Sequence, residues 1–533
     1  MKYAVPRGDR QYASWPGVAA LCDMVESNRA LFKTYEFTVL DIPIADFREL
    51  CRNDLSKAAA AYAVDITAAH PSTLETPVVA TGHQSELNHA GVWLKNHLAY
   101  HLGRATGGTS LNLIVDNDTP KHLGLVLPVL EAGRARRAVV PYAALRPGLA
   151  LEEYPPRIED VAAFGSEVKR LAKGAPFEDE ANDLANRIAA ADNTGKTLAD
   201  VLTAVRLSYE RRYGVANVEL PVSRMADTCA FRTFVSSICN DARRFLDCHN
   251  QALAAYRRAN HVRYAANPIS DLEIDGDLIE VPFWVWRAGG PRERLFVRND
   301  GLSRDLFAGK GWLATTPVSD CRMSEAGWKE IAARGMKVRP RALSTTLFMR
   351  LGVSDLFVHG VGGAKYDEVT DAVIRSFYAV TPPSYAVISA TLLIDWPIPE
   401  VDENEQRRLA RTLRDIRHNP QNLVAGSRED TGALLSEKQQ VITAPRSDSH
   451  TQRQSRWQRI RTINETLEGH LLPLKSQVEA QLEDVRRRLA SEEVLFGREY
   501  PCFLSGAERT VEFYNEILAP LISAACQTRR APA

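Results

Sequence analysis

Several absences bound what this chain can be. No CxxC pair occurs among its eight cysteines, at positions 22, 51, 229, 239, 248, 321, 502 and 526. Scattered cysteines in a long chain exclude a disulfide framework or a zinc ribbon and read as reduced thiols. No apolar run reaches the roughly 18 residues needed to cross a bilayer; the longest, Tyr385 to Ile394, has the length of a strand. The polar opening MKYAVPRGDRQYASWPG lacks the apolar segment of a signal peptide, so the expected location is cytoplasmic. Charge of neither sign predominates, with 66 basic and 66 acidic residues, and bulk electrostatics gives no reason to expect a nucleic-acid or membrane partner. The HExxH pattern is missing too, so no metal site is expected.

What is present is the composition of an ordinary folded protein, 45% hydrophobic and 25% charged. At 533 residues the chain exceeds one core and should divide into domains. Residues 1 to 75 read as helical. The run Thr76-Pro-Val-Val-Ala-Thr-Gly-His then predicts a buried strand ending at Gly82, a helix from His89 to Leu102, and a second strand, Leu111-Asn-Leu-Ile-Val-Asp. That is a βαβ unit, and its strand ends lie on the edge where open α/β sheets bind ligands. From about 150 to 265 a helical period takes over, read as a helical insertion, with strands resuming at Leu278 to Trp286, Arg294 to Arg298 and Leu356 to Gly360. Pro397 and Pro399 mark the end of an α/β core over 1–400. Residues 401–533 are expected to form a helical domain, with Gly426 to Ser449 as a loop. Apolar residues recur at three- and four-residue steps from Ile460 to Leu489, a coiled-coil pattern that Pro473 should kink or restart.

Three clusters carry chemistry-bearing residues. The first is Thr81-Gly82-His83-Gln84 followed by His89, Gly91 and Lys95. A strand-to-helix turn offers free backbone amides and a helix dipole to a phosphate, Gly82 permits a sharp turn, and the histidines can donate or transfer protons near neutrality. The competing reading makes Thr81 and Asn88 turn and cap residues, and leaves His97 and His101 to packing. The second cluster is Asp116-Asn-Asp118, placed to hold a metal-bound phosphate, a ribose hydroxyl or an amino group, or simply to cap the next segment. The third joins Arg339 and Arg341, an anion site beside hydroxyl residues, to His359-Gly-Val-Gly362-Gly363-Ala-Lys365, a Gly-rich turn whose Lys365 can neutralise phosphate. It is neither a Walker A loop nor GxGxxG. Trp284 and Trp286 alternate on a strand and either line a sugar pocket or belong to the core.

At these residues the chain resembles the bacillithiol biosynthesis cysteine-adding enzyme family, the cysteine ligases. Thr81-Gly82-His83-Gln84 is similar to that family's TGQQ-type turn, with His83 where Gln is usual. Gly91 to Lys95 is similar to its Gly-containing helix start with a lysine, and Leu111 to Asp118 to its strand ending in acids. Val338 to Leu343 and Val358 to Tyr366 resemble its RP segment and GGPGE-like turn, with glycines and Lys365 replacing the usual proline and glutamate. The resemblance covers about 76–130 and 335–400. It implies a Rossmann-like core, a dimerising C-terminal coiled coil, and a carbon–nitrogen ligase that joins cysteine to a glucosaminyl-malate, with ATP or ADP as nucleotide and the Mg²⁺ requirement open. On this reading His83, His89 and Lys365 stabilise phosphate charge, Asp116 or Asp118 holds an ammonium or ribose, and Arg339 with Arg341 holds a carboxylate. Two rivals stand beside it: a non-catalytic scaffold on a nucleotide fold, and a different transferase using Asp116, Asp118 and Mg²⁺.

Overall fold

Five runs of buried residues build the parallel part of a sheet. A computed structural model of the chain describes residues 3–66, 73–264, 269–299, 301, 303–317, 325–397, 402–424, 429–445 and 449–528; Cys321, Pro399 and Gly426 fall outside them. The chain divides into two units. The first comprises Met1–Leu127, Val139–Ile394 and Arg498–Ala533, and the second Pro128–Ala138 and Asp395–Gly497.

In the first unit the strands β1 (Gln11–Trp15), β2 (Val78–Gln84), β3 (Thr109–Val115), β4 (Val218–Pro221), β5 (Leu356–His359) and β6 (Ala386–Thr391) form one sheet in the order β1-β6-β5-β2-β3-β4. β1 runs antiparallel to β6 and the rest are parallel. Strands covered on both faces read as continuous apolar runs, as Val78 to Ala80 and Leu111 to Leu113 do. Parallel neighbours need crossovers; helix α1 (Ala90–Ala105) joins β2 to β3, and α2 (Val361–Val373) leads from β5 toward β6. From β2 the chain moves outward through β3 to β4, whereas β5 and β6 lie on its other side. The order therefore reverses between β2 and β5.

The expected insertion over 150–265 is helical at Val161–Ala172, Glu178–Ala191, Leu198–Arg212, Cys229–Asn240 and Ala242–Ala259. It is also interrupted, because β4 lies inside it and belongs to the parallel sheet. Four buried residues are too few to show a period of their own. A similar correction applies near the start, where helices Leu21–Phe32 and Ile44–Asp65 follow the edge strand β1. That strand exists through its register with β6, Gln11 opposite Thr391 to Trp15 opposite Val387, a pairing no local pattern encodes.

The strand signals at Leu278 to Trp286 and Arg294 to Arg298 belong to a second, antiparallel sheet, in the order Gly311–Pro317, Ser303–Ala308, Glu293–Asn299, Leu278–Arg287, Met336–Pro340. Alternation along Leu278–Arg287 sends Val281, Phe283 and Val285 into the core, where Phe283 meets Phe231 edge to face at 6.1 Å. Pro282 and Trp284 take the opposite face.

The C-terminal helix Ala507–Thr528 belongs to this first unit, although 401–533 was expected as one helical domain. It packs on α1: Tyr514 donates to the Ala90 carbonyl at 2.5 Å, and its ring lies 4.9 Å from that of His97. His97 is thus a buried packing residue, and His101 rests beside Tyr100. The contact partners lie more than 400 residues apart in sequence, which is why composition alone grouped this helix with its neighbours.

The second unit is helical, with Glu403–His418, Glu429–Thr443, His450–His470 and Leu472–Leu495. Its core joins Leu409 to Val478, Leu482 and Val485. The chain restarts at Leu471, with Pro473 in the first turn of the new helix, where a missing N–H costs nothing. The loop expected over Gly426 to Ser449 contains a helix instead. Tertiary partners account for it: Arg459 pairs with Glu437, and Arg456 donates to the carbonyls of Ala444 and Ile442 at the helix end. No helix among the described residues is long and apolar enough to cross a membrane.

Candidate functional site

At the reversal between β2 and β5 the C-terminal strand ends bring His83 and His359 to a shared crevice. A cavity of ≈ 590 Å³ lies there, bounded by Gly82, His83 and Gln84 from β2, His359 from β5, and Trp284, Arg292 and Arg341 from the antiparallel sheet and the segment that follows it. A smaller cavity of ≈ 310 Å³ shares Gly82, His83, His359, Gly362 and Gly363 with it and reaches His89, Lys95 and Arg498. Open α/β sheets place ligands at such a reversal.

Gly82 does not turn the chain. It lies within the ladder opposite Leu113, where a Cβ would come 3.1 Å from both the Leu113 side chain and its carbonyl oxygen. The turn follows Gln84 and is tied by Asn88, which donates to the Gln84 and Glu86 carbonyls. Thr81 is fully buried and donates to the Val358 carbonyl, so it joins two strands and does not reach the ligand space. His83 lines both cavities. Desolvation, helped by the charges of Lys95 and His89, pushes its imidazole pKa down to about 3, so it is neutral at physiological pH.

His89 caps α1, its Nδ1 accepting from the Gly91 amide at 3.1 Å. Burial, then Arg498 and Lys95, pushes its pKa down to about 3. Gly91 serves packing: a Cβ there would lie 2.6 Å from the Ala390 carbonyl oxygen of β6. Lys95 donates to the Gly82 carbonyl at 2.8 Å and has no ion-pair partner among the described residues. Burial pushes its pKa down to about 7. A buried amine facing a cavity without a counter-charge is poised to receive one.

The acidic pair separates. Asp116 is buried and does not line the cavity; it accepts from the backbone N–H and the hydroxyl of Ser223, capping the short helix Val222–Ala226. Burial, then the nearby Glu152 charge, pushes its pKa up to about 7. The metal-binding pair invoked for a transferase is therefore not assembled. Asp118 does line the larger cavity, accepting from Gln84 at 2.8 Å and pairing with Arg292 at 2.9 Å. Among the described residues no group of three or more His, Cys, Asp or Glu side chains could hold a metal ion.

The arginines separate as well. Arg339 is buried and engaged by Glu152 at 2.9 Å and Asp227 at 2.9 Å, so it holds no substrate carboxylate. Strand alternation would put 339 and 341 on one face, being two apart, but the chain leaves the strand at Pro340, and that departure separates them. Arg341 borders the cavity, with its guanidinium 4.2 Å from the Trp284 ring centroid and Nη2 in ion contact with Glu280 Oε1 at 2.7 Å. Arg292 lies 4.9 Å from the Trp284 ring centroid. Trp284 thus lines the cavity, whereas Trp286 is buried and donates to Glu153 at 2.7 Å.

Past β5, Gly360 caps α2 without a side chain, leaving the first-turn amides of Val361, Gly362 and Gly363 without intrahelical partners. His359 Nε2 lies 2.5 Å from Asp367 Oδ2, and Arg350 Nη1 reaches the same carboxylate oxygen at 3.0 Å. Lys365 is exposed and borders neither cavity; Tyr366 faces the larger one in its place. The helical turn of 100° per residue separates the two side chains, so Lys365 has no place in the site. Sequence reading also missed Arg292, Asp367 and Arg498. For Arg498 no sequence signal existed, since it reaches Ser389 and Ala390 from more than 100 residues away.

Among the described residues, the smaller cavity is lined by five basic side chains, His83, His89, Lys95, His359 and Arg498, and by no carboxylate. Such a lining accepts an anion of phosphate type. No family model matches the chain, and no curated protein matches it either.

Proposed function

We propose that this chain is a nucleotide-dependent ligase on a Rossmann-like core, which activates a carboxylate and passes it to an amine. The observation that carries the reading is the carboxylate-free basic compartment beside the larger cavity at the strand-order reversal. The parallel order β4-β3-β2-β5-β6 matches that of nucleotide-binding α/β folds, whose ligands sit at this reversal. Phosphates of ATP or ADP occupy the basic compartment, between the first turns of α1 and α2. The larger cavity takes the carboxylate substrate and the amine acceptor, with Trp284 offering an aromatic face and the Arg341 and Arg292 guanidinium groups a cationic partner for the carboxylate. The resemblance to the cysteine-adding ligases supports cysteine as the amino acid and an amino sugar as acceptor. Holding both reactants in one cavity supplies much of the acceleration, and the basic side chains stabilise charge on the departing phosphate. Pairing of two copies through a coiled coil in the second unit belongs to the same proposal, and sedimentation of the full chain reads it.

Calorimetric titration of the full chain with ATP and ADP, with and without Mg²⁺, tests the nucleotide. Binding that Lys95→Ala weakens at least tenfold supports the reading. Silence toward every nucleotide, with cysteine present or absent, would overturn it.

A further inference from the structure

We infer that His359 is the proton-accepting residue of this cleft and that Asp367 positions it, forming a buried dyad that deprotonates the attacking amine. This rests on the ligase reading for its substrate, and on geometry for the dyad itself. His359 ends β5 and borders both cavities. Its Nε2 faces Asp367 Oδ2 at 2.5 Å, which fixes the proton on Nε2 and leaves the Nδ1 lone pair free. Asp367 has no solvent exposure and is held from the other side by Arg350. Burial alone would raise its carboxyl, but the contacts with His359 and the Arg350 guanidinium outweigh that and keep it well below the usual carboxylate range. An ionised, immobile partner supports the imidazolium that proton uptake creates.

Gly363 keeps the other nitrogen approachable. A Cβ at this position would lie 2.7 Å from His359 Nδ1, so any side chain here presses on the lone pair. Other groups around the ring include the Phe357 ring, tilted at 4.5 Å, and the Tyr385 ring, edge-on at 5.3 Å, with Lys95 and His83 across the shared compartment. None offers Nδ1 a carboxylate. The other candidate bases are less suited: His89 Nδ1 is occupied by the Gly91 amide, and His83 has no carboxylate to stabilise its protonated form.

The step balances with the reactants named. The amine nitrogen bonds to the carbonyl carbon of the phosphate-activated carboxylate, and one N–H proton moves to His359 Nδ1 while its electron pair stays on nitrogen. The carbon–oxygen bond to phosphate then breaks, and the phosphate leaves with that electron pair into the basic compartment. General-base catalysis of this kind contributes about 10² to 10⁴-fold.

Two measurements on the full chain test the dyad. The first is modification by diethyl pyrocarbonate, mapped by mass spectrometry. His359 should react, and Asp367→Asn should slow that reaction about tenfold or more. An unreactive His359, or equal rates in the two proteins, overturns the dyad whatever the enzyme does. The second supplies ATP, Mg²⁺ and cysteine, and compares amide formation on ethanolamine with hydroxamate trapping by hydroxylamine. His359→Gln should lose amide formation at least 100-fold, while hydroxamate formation stays within about threefold. Retained amide formation overturns the dyad. If the unaltered protein forms neither product, the ligase reading fails, and the modification rates then decide the dyad.

Discussion

Lys95 Nζ donates to the carbonyl oxygen of Gly82 at 2.8 Å, binding the second turn of α1 to the last residues of β2. The contact closes one wall of the basic compartment and fixes an amine whose pKa burial has pushed down to about 7. Its energetic consequence is a pH dependence of known sign. Below pH 7 the amine is charged in both folded and unfolded chains, so the folded state bears the cost of a buried charge. Between about 7 and the ordinary value of 10.5 the unfolded chain holds the extra proton, and stability rises with pH. Lys95→Met should therefore stabilise the fold by a few kcal/mol at pH 6. The gain should shrink toward pH 10, as followed by urea denaturation.

The same amine predicts proton uptake on ligand binding. A phosphate in the compartment favours the charged form of Lys95, raising its pKa. Titration of ATP or inorganic pyrophosphate at pH 8 in two buffers of different ionisation enthalpy should reveal up to about one proton taken up. At pH 6, where Lys95 is already charged, its contribution should vanish. Equal apparent enthalpies in both buffers at pH 8 would remove Lys95 from the anion site.

Lys365→Ala should leave both stability and nucleotide affinity unchanged within about 0.5 kcal/mol. The side chain is exposed and borders neither cavity. Run beside Lys95→Ala in the same titration, it separates the lysine inside the compartment from the one that only sequence proximity to Gly362 and Gly363 suggested.

Arg339→Ala should destabilise the fold by about 3–5 kcal/mol, because it leaves the buried Glu152 carboxylate without its strongest partner. Double substitution of Arg339 and Glu152 by apolar residues should recover much of that loss. A denaturant midpoint unmoved by Arg339→Ala would contradict the structural role.

Gly91→Ala tests the approach of α1 to β6. Alanine favours a helix over glycine by about 1 kcal/mol, but its Cβ would sit 2.6 Å from the Ala390 carbonyl oxygen. Overpacking of this kind costs about 1–3 kcal/mol, so thermal unfolding should move to lower temperature despite the better propensity.

The sequence by itself determined the elements whose signal is local. β2, α1 and β3 were legible from a buried apolar run, a helical period and a second run. Leu472–Leu495 was legible from its three- and four-residue steps and from Pro473, because periodic burial must be written into the residues that carry it. The chemical character of His83, Lys95, Asp118, Arg341 and His359 was legible too, since each stands at a strand end or beside a turn. Only the tertiary structure decided which of the candidates meet. Asp116 and Arg339 look like ligands in sequence but are held by Ser223 and Glu152, residues 107 and 187 positions away. The edge strand β1, the short β4 and the C-terminal helix depend on partners equally remote. Arg498 enters the compartment, and Asp367 orients His359, through packing that no local pattern records. A charged side chain's fate is set by what the fold places within hydrogen-bonding distance of it, and that is a property of the assembled chain.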